Sequence, residues 1–338
     1  HNATGFFRYV YQTETDVLDG IKAYMADIPG YNPAFFRVDA PADPRLPAED
    51  LYRLRLPTAV KLSPDEQHVA YTVERIDRDK RKYFTNIWIY DLSGGESRQF
   101  TFGDNNDRQV AWAPDGRSFA FVSTRDKKTG IYLMPVEGGA ERRLAEIDGA
   151  IGSLQFHPDG ELLVFCLRYN NSHFIEDEDE KKKPPVYRHI TRLQYKFDAQ
   201  GFLPKDTFQV YSMAIRDGVL KKITSGKRDN LSPDISPDGK WIVYHSNRSK
   251  NPDVDSLRDD LFVSPFTGGK EKKITTPPGP IAFPRFSPDG KTIAYLGHDN
   301  PNDAWGVTNH HMWIVGVKGS PKARDLMPGW DRMAVDHS

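Results

Sequence analysis

Ser236-Pro237-Asp238-Gly239-Lys240-Trp241-Ile242-Val243-Tyr244 is a tight turn that feeds directly into a strand. Proline pre-sets φ, the aspartate bonds the backbone that follows it, and glycine accepts a positive φ. The aromatic and β-branched run behind the turn is strand chemistry. The same signature occurs at Ser63-Pro64-Asp65, Ala113-Pro114-Asp115-Gly116, His157-Pro158-Asp159-Gly160 and Ser287-Pro288-Asp289-Gly290, with aspartate spacings of 50, 44, 79 and 51 residues along the chain. The first copy carries Glu66 where the others have glycine, so its turn is expected to avoid a positive φ.

The register beyond each turn is stronger evidence than the turn itself. Six residues after each aspartate stands an aromatic, Tyr71, Phe121, Phe165, Tyr244 or Tyr295, preceded by Ala70, Ala120, Val164, Val243 or Ala294. A second strand then brings Trp88, Tyr132, Tyr211, Phe262 and Trp313, each six residues ahead of a further turn residue, Gly94, Gly138, Asp217, Gly268 and Gly319. Those turns have hairpin chemistry. A short fourth strand closes most units, as at Arg98–Phe102, Lys221–Thr224 and Lys272–Thr275.

Each unit is therefore a four-stranded antiparallel meander. One meander cannot bury both its faces, and stacking successive meanders makes a continuous apolar layer between them. The expected fold is all-β, a β-propeller of five recognisable blades, its ring closed or left as an open arc. The blades run over 54–102, 103–145, 146–225, 226–276 and 277–327, and 328–338 reads as the start of a further one. A β-sandwich would not need aromatics locked to a period. Residues 1–46 lie outside the repeat and form an N-terminal extension with a short amphipathic helix, in which Val17, Leu18, Ile21 and Met25 share a face. Pro47 to Arg53 reads as one helical turn leading into the first blade.

Composition removes several classes of function. Across 338 residues, 46 Lys+Arg against 47 Asp+Glu leave a net charge of −1, so no global field draws nucleic acid or an anionic membrane surface. The single cysteine, Cys166, excludes an internal disulfide framework and a four-cysteine zinc site. No apolar run is long enough to span a bilayer, and no leader pattern follows His1, so the expectation is a soluble, cytoplasmic protein. The long third spacing holds an insertion, roughly Asn170 to Asp206. Its stretch Glu176-Asp177-Glu178-Asp179-Glu180-Lys181-Lys182-Lys183 is a solvated charged loop by composition.

Reactive chemistry is sparse. None of the serines sits in a Gly-x-Ser-x-Gly elbow, and Walker and Rossmann glycine patterns are missing. His310 and His311 are neighbours, so on a strand they point to opposite faces and cannot share one metal; His298 and Asp299 are the nearest possible co-ligands. Cys166 follows a strand aromatic, where a buried inert thiol is expected. The segment Trp305-Gly306-Val307-Thr308-Asn309 is the most unusual loop of the fifth unit.

Ile190-Thr191-Arg192-Leu193-Gln194-Tyr195-Lys196-Phe197-Asp198 with Gly201-Phe202, Ser246-Asn247-Arg248 with Asp253 and Asp259-Asp260-Leu261-Phe262-Val263, and Ile293-Ala294-Tyr295-Leu296-Gly297-His298 with Trp305-Gly306 and Asn309 together resemble the third, fourth and fifth blades of a known propeller. It is that of prolyl-oligopeptidase-family serine peptidases, in the bacterial acylaminoacyl-peptidase branch, and the resemblance covers about residues 47 to 338. It implies a non-catalytic propeller that caps a C-terminal α/β-hydrolase domain and admits only short peptides. Later blades and the hydrolase domain are expected beyond this sequence, which itself carries no catalytic, cofactor or metal residue. Trp305 and Asn309 are the candidate substrate-lining residues. The hydrolase domain and short peptides are the expected partners, with self-association if the arc stays open. The competing reading is a free-standing TolB-like propeller that binds protein partners.

Overall fold

Each of the five turn-and-strand units becomes an antiparallel sheet in the computed structural model, which describes residues 48–125, 128–169, 190, 192–197, 201–203, 205–303 and 306–334. The first blade contains β1 (Arg55–Leu62), β2 (His68–Asp77), β3 (Lys82–Asp91) and β4 (Glu96–Gln99), and the second β5 (Asn106–Trp112), β6 (Ser118–Arg125), β7 (Lys128–Pro135) and β8 (Arg142–Ile147). A single parallel pair, Thr85 with Asn106, bridges these two sheets. The third blade is formed by β9 (Gly149–Phe156), β10 (Leu162–Tyr169), β13 (Gln209–Ala214) and β14 (Leu220–Lys222), with the small hairpin β11 (Lys196–Phe197) and β12 (Gly201–Phe202) set apart from it. The fourth is β15 (Leu231–Ile235), β16 (Trp241–Ser246), β17 (Asp259–Pro265) and β18 (Lys272–Gly279), and the fifth β19 (Ile281–Phe286), β20 (Thr292–Gly297), β21 (His311–Gly316) and β22 (Arg324–Asp325). Ala48–Arg53 forms the expected helical turn, as a 3-10 segment. The helix expected around Val17–Met25, the charged stretch 176–185 and Trp305 lie outside the described residues.

The two aromatic registers turn out to be one feature. Tyr71 faces Trp88, Phe121 faces Tyr132, Phe165 faces Tyr211, Tyr244 faces Phe262 and Tyr295 faces Trp313, each pair directly opposed across the second and third strands of its blade. Three of the pairs stack, with ring centroids 5.5, 5.9 and 6.3 Å apart in the second, fourth and fifth blades.

Every blade thus has an aromatic face and, one residue out of phase, a face of small and aliphatic side chains. The core is built by laying the aromatic face of each blade on the aliphatic face of the blade before it. Phe119, Phe121 and Tyr132 pack on Ala70, Ile87 and Ile89, and Phe165 and Tyr211 on Ala120, Val122 and Ile131. Tyr244 and Phe262 pack on Val164, Cys166 and Val210, and Tyr295 on Val243, Leu261 and Val263. Each fully buried aromatic or aliphatic side chain contributes roughly 1.5–3 kcal/mol.

The innermost strands repeat a second device. In all five blades the pairing of first and second strand slips by a β-bulge, between Thr58 and Lys61, Arg108 and Ala111, Val164 and Cys166, Leu231 and Asp234, and Ala282 and Arg285. A non-glycine residue with positive φ sits at each slip: Ala59, Gln109, Ser153, Ser232 and Phe283. All five stand six residues before the turn aspartate. Side chains from the inner strands then reach the neighbouring blade's backbone near its slip. Trp112 Nε1 donates to Lys61 O at 3.1 Å, Gln109 Nε2 to Ile151 O at 2.9 Å and Gln155 Nε2 to Pro233 O at 2.6 Å, while Asp234 accepts from Phe286 N–H at 2.8 Å. These bonds tie the blades together around the centre of the array.

The Pro-Asp-Gly turns also contact one another in series. A β-carbon on Gly116 would meet Asp65, one on Gly160 would meet Pro114, one on Gly239 would meet His157, and one on Gly290 would meet Pro237. The expectation for the first turn is corrected: Glu66 has φ of 59° despite its side chain. The turn hydrogen bonds explain why. Glu66 N–H donates to Ser63 O at 3.0 Å and Gln67 N–H to Asp65 Oδ1 at 3.1 Å, the pattern that Gly239 N–H to Ser236 O and Lys240 N–H to Asp238 Oδ1 repeat in the fourth blade. The turn imposes its conformation on the residue, at a cost of about 1–2 kcal/mol.

Candidate functional site

The expected substrate-lining residue Asn309 lies on the loop before β21, at a cavity of about 380 Å³ in the fifth blade. His298, His311, Asp325, Trp330 and Asp331 share the lining. The Asn309 side-chain amide donates to Asp331 at 2.9 Å. His311 is held from both ends, with Nδ1 at 2.8 Å from Asp325 Oδ2 and Nε2 at 3.0 Å from Trp330 O. Burial works against ionisation of Asp325, but the His311 ring and the Met327 N–H still hold its carboxyl below the usual carboxylate range.

His298, which also lines the cavity, stacks its ring on that of His310 with centroids 5.0 Å apart. His298 Nδ1 accepts from Asn300 N–H, and burial pushes the imidazole below its ordinary pKa. Asp303 receives the Val307 and Thr308 N–H groups, which hold its carboxyl down at about 2. This carboxylate organises the loop around Gly306 by accepting backbone bonds. Both ring nitrogens of His311 thus face acceptors, Asp325 and Trp330 O, which fixes the plane of the ring against the loop. The cavity offers amide, carboxylate and indole surface suited to binding.

Cys166 is buried between the third and fourth blades, its Sγ 3.2 Å from Asn230 O, and burial pushes the thiol up to about 12. A thiol in that state is not a nucleophile at neutral pH. Among the described residues no group of three or more His, Cys, Asp or Glu side chains could hold a metal ion, and no described helix is long and apolar enough to cross a membrane.

One recurrent constellation escaped the sequence reading. Arg75, Arg125 and Arg248 stand over the rings of Phe84, Tyr132 and Phe262, at 5.0, 4.2 and 4.9 Å from the ring centroids. Each pairs with an acidic residue, Asp104, Glu141 or Glu271 respectively. The signal was available, because each arginine lies ten residues after its turn aspartate, in the first, second and fourth units. They lock the far ends of the second strands and stabilise the blades.

Comparison with known proteins agrees with this architecture. The TolB beta propeller domain profile matches residues 56–187. The "Uncharacterized peptidase YuxL" of Bacillus subtilis (strain 168) is 31% identical over 219 residues, covering 64% of this chain and 33% of that protein. Among solved structures, the uncomplexed acylaminoacyl peptidase of Pyrococcus horikoshii superposes with a TM-score of 0.60 at 16% identity, over 84% of this chain and 41% of that one. A putative TolB from Agrobacterium tumefaciens gives 0.53 at 20% identity, over 80% of each chain. The chain spans between a third and about half the length of the first curated relatives it matches. Residues 56–187 thus match a TolB-type β-propeller domain, and the chain is related in sequence to peptidases and shares the fold of acylaminoacyl peptidases.

Proposed function

We propose that this chain is the propeller part of a serine peptidase and restricts which peptides reach a hydrolase domain, without chemistry of its own. The sequence kinship with a peptidase over 64% of the chain is the observation that carries this reading. The state of the one thiol supports it: Cys166 is buried and held protonated. Blades joined by aromatic faces packed on aliphatic ones and by side-chain bonds to neighbouring backbone make a stiff scaffold. A stiff aperture selects by size, passing an extended peptide and excluding a folded chain. Asn309, with Trp305, is the proposed contact for such a peptide.

The test uses this chain and the full-length protein that contains it. The full-length protein should hydrolyse short chromogenic peptides in a manner blocked by a serine-directed inhibitor, and should leave folded protein substrates intact. This chain alone should give no turnover. Inhibitor-sensitive hydrolysis by this chain, or a full-length protein without peptidase activity, would refute the proposal. The second outcome would favour a TolB-like binding scaffold, a reading that the 80% mutual coverage with the Agrobacterium protein supports.

A further inference from the structure

The contacts between blades are not equally filled at the end that carries the Pro-Asp-Gly turns. Between the third and fourth blades the ring of His157, two residues before its turn aspartate, lies on Phe266, two residues before Gly268. The matching positions between the fourth and fifth blades hold Ser236 and Val317. The backbone confirms the match: Phe266 N–H donates to Lys240 O at 2.8 Å, and Val317 N–H to Lys291 O at 3.0 Å. Two rings are thus replaced by far smaller groups, and a cavity of about 650 Å³ stands open there. Ser63 and Val136 take the same places between the first and second blades, but there Trp112 and His68 face each other across the contact, with ring centroids 6.2 Å apart. Their counterparts Phe286 and Trp241 line the cavity, and Trp241 is 44% exposed.

A volume of this size falls within the ~300–1,000 Å³ of small-molecule sites, which are mostly apolar with a few polar groups. The inner lining is apolar, with Val263 buried and Phe286 and Val317 half-buried. The exposed lining includes Lys270, Lys272, Lys291 and Lys318. Asp238 and Asp289 oppose them, and each carboxylate accepts from the serine hydroxyl and a backbone N–H of its own turn. Lys272 Nζ donates to Lys318 O at 3.2 Å and Lys291 Nζ stands 3.7 Å from Asp289. The ammonium groups of Lys270 and Lys318 have no acceptor among the described residues. Both walls belong to complete four-stranded sheets, and a further blade would stack on the opposite flank of the fifth. The loop of Asn309 lies at the other end of β20, so the two cavities are separate.

We propose that this cleft binds a small amphiphilic anion, its apolar body against Trp241 and Phe286 and its carboxylate among the lysines. Ammonium groups rather than guanidinium forks surround it, which suits a compact anionic head met as a point charge. The site stands independently of the peptidase reading.

The experiment is calorimetric titration of the intact chain with decanoate, and with 1-decanol and decyltrimethylammonium as neutral and cationic chains of equal length, all below micellar concentrations. Decanoate should bind one-to-one, roughly three- to tenfold tighter than 1-decanol, as exposed charge pairs allow, and the cation should bind weakest. Lys270→Gln combined with Lys318→Gln should lower decanoate affinity to that of 1-decanol and leave 1-decanol binding unchanged. Val317→Phe, which restores the ring found at Phe266, should abolish binding of both. The proposal is overturned if the parent chain shows no saturable decanoate binding, or if 1-decanol or the cation binds as tightly. It is equally overturned if decanoate binding survives undiminished in the lysine double variant, or in Val317→Phe with its cooperative melt intact.

Discussion

His157 Nε2 lies 2.9 Å from the carbonyl oxygen of Gly239, and its ring passes 2.7 Å from the point where a β-carbon on Gly239 would stand. The histidine of one blade's turn is thus fitted to the glycine of the next, and its ring also rests on Phe266 at 4.4 Å. Gly239 has φ of 71°, whereas Gly319, with φ of 87°, has open space around it. Gly319→Ala should therefore cost only the left-handed penalty of about 1–2 kcal/mol. Gly239→Ala should cost more, by on the order of 1–3 kcal/mol for the forced shift of the ring. Urea unfolding of the two variants side by side measures the difference; equal costs would show that the turns are not coupled.

Ala59 is exposed and has φ of 51° at the bulge of β1. Ala59→Gly removes the steric penalty and forfeits no packing. A rise in stability of up to about 1 kcal/mol is expected, after allowing for the greater freedom of glycine in the unfolded chain. It should appear as a higher urea midpoint at unchanged slope.

Asp107 is completely buried where the first two blades meet, with Arg125 4.0 Å away. Burial pushes its carboxyl above the ordinary value, outweighing the hydroxyl, amide and guanidinium groups around it. An acid with a raised folded pKa penalises the fold when ionised. The penalty is absent below the unfolded value of about 4, grows as pH rises through the folded pKa, and is constant above it. Asn230 occupies the equivalent position of the fourth blade, eight residues before its turn aspartate, and accepts from Arg248 at 2.8 Å. Asp107→Asn should consequently raise the melting temperature at pH 7, with a gain that shrinks to nothing toward pH 4. A gain independent of pH would show that ionisation of Asp107 is not its source.

Cys166 should resist a thiol-specific reagent in the native protein at pH 8 and react fully once the chain is unfolded in guanidinium. Its labelling rate would then report opening of the contact between the third and fourth blades. Rapid stoichiometric labelling under native conditions would contradict the burial and the raised pKa described above.

The blades were legible because their cause is periodic. Pro-Asp-Gly and the aromatics at fixed offsets are chemical requirements that repeat in type, so the sequence shows them openly. The bulges were not legible, because the residues that take positive φ are Ala59, Gln109, Ser153, Ser232 and Phe283, which share a position and no chemistry. There the pairing of the inner strand decides the backbone and the side chain tolerates it. Glu66 was misread for the same reason, its turn outvoting its own preference. Asn309 was found as an unusual loop residue, but its tie to Asp331, like the double anchoring of His311, depends on contacts across the loops of the fifth blade that no short spacing records.

The fixed order of face types, aromatic onto aliphatic, has a consequence for how such chains change over generations. A blade copied or exchanged by recombination brings both kinds of face in the correct orientation, so an insertion anywhere in the series meets compatible neighbours on each side. Blade number can then drift without redesign of the contacts, and lengthening or shortening the gene by one unit becomes a small evolutionary step.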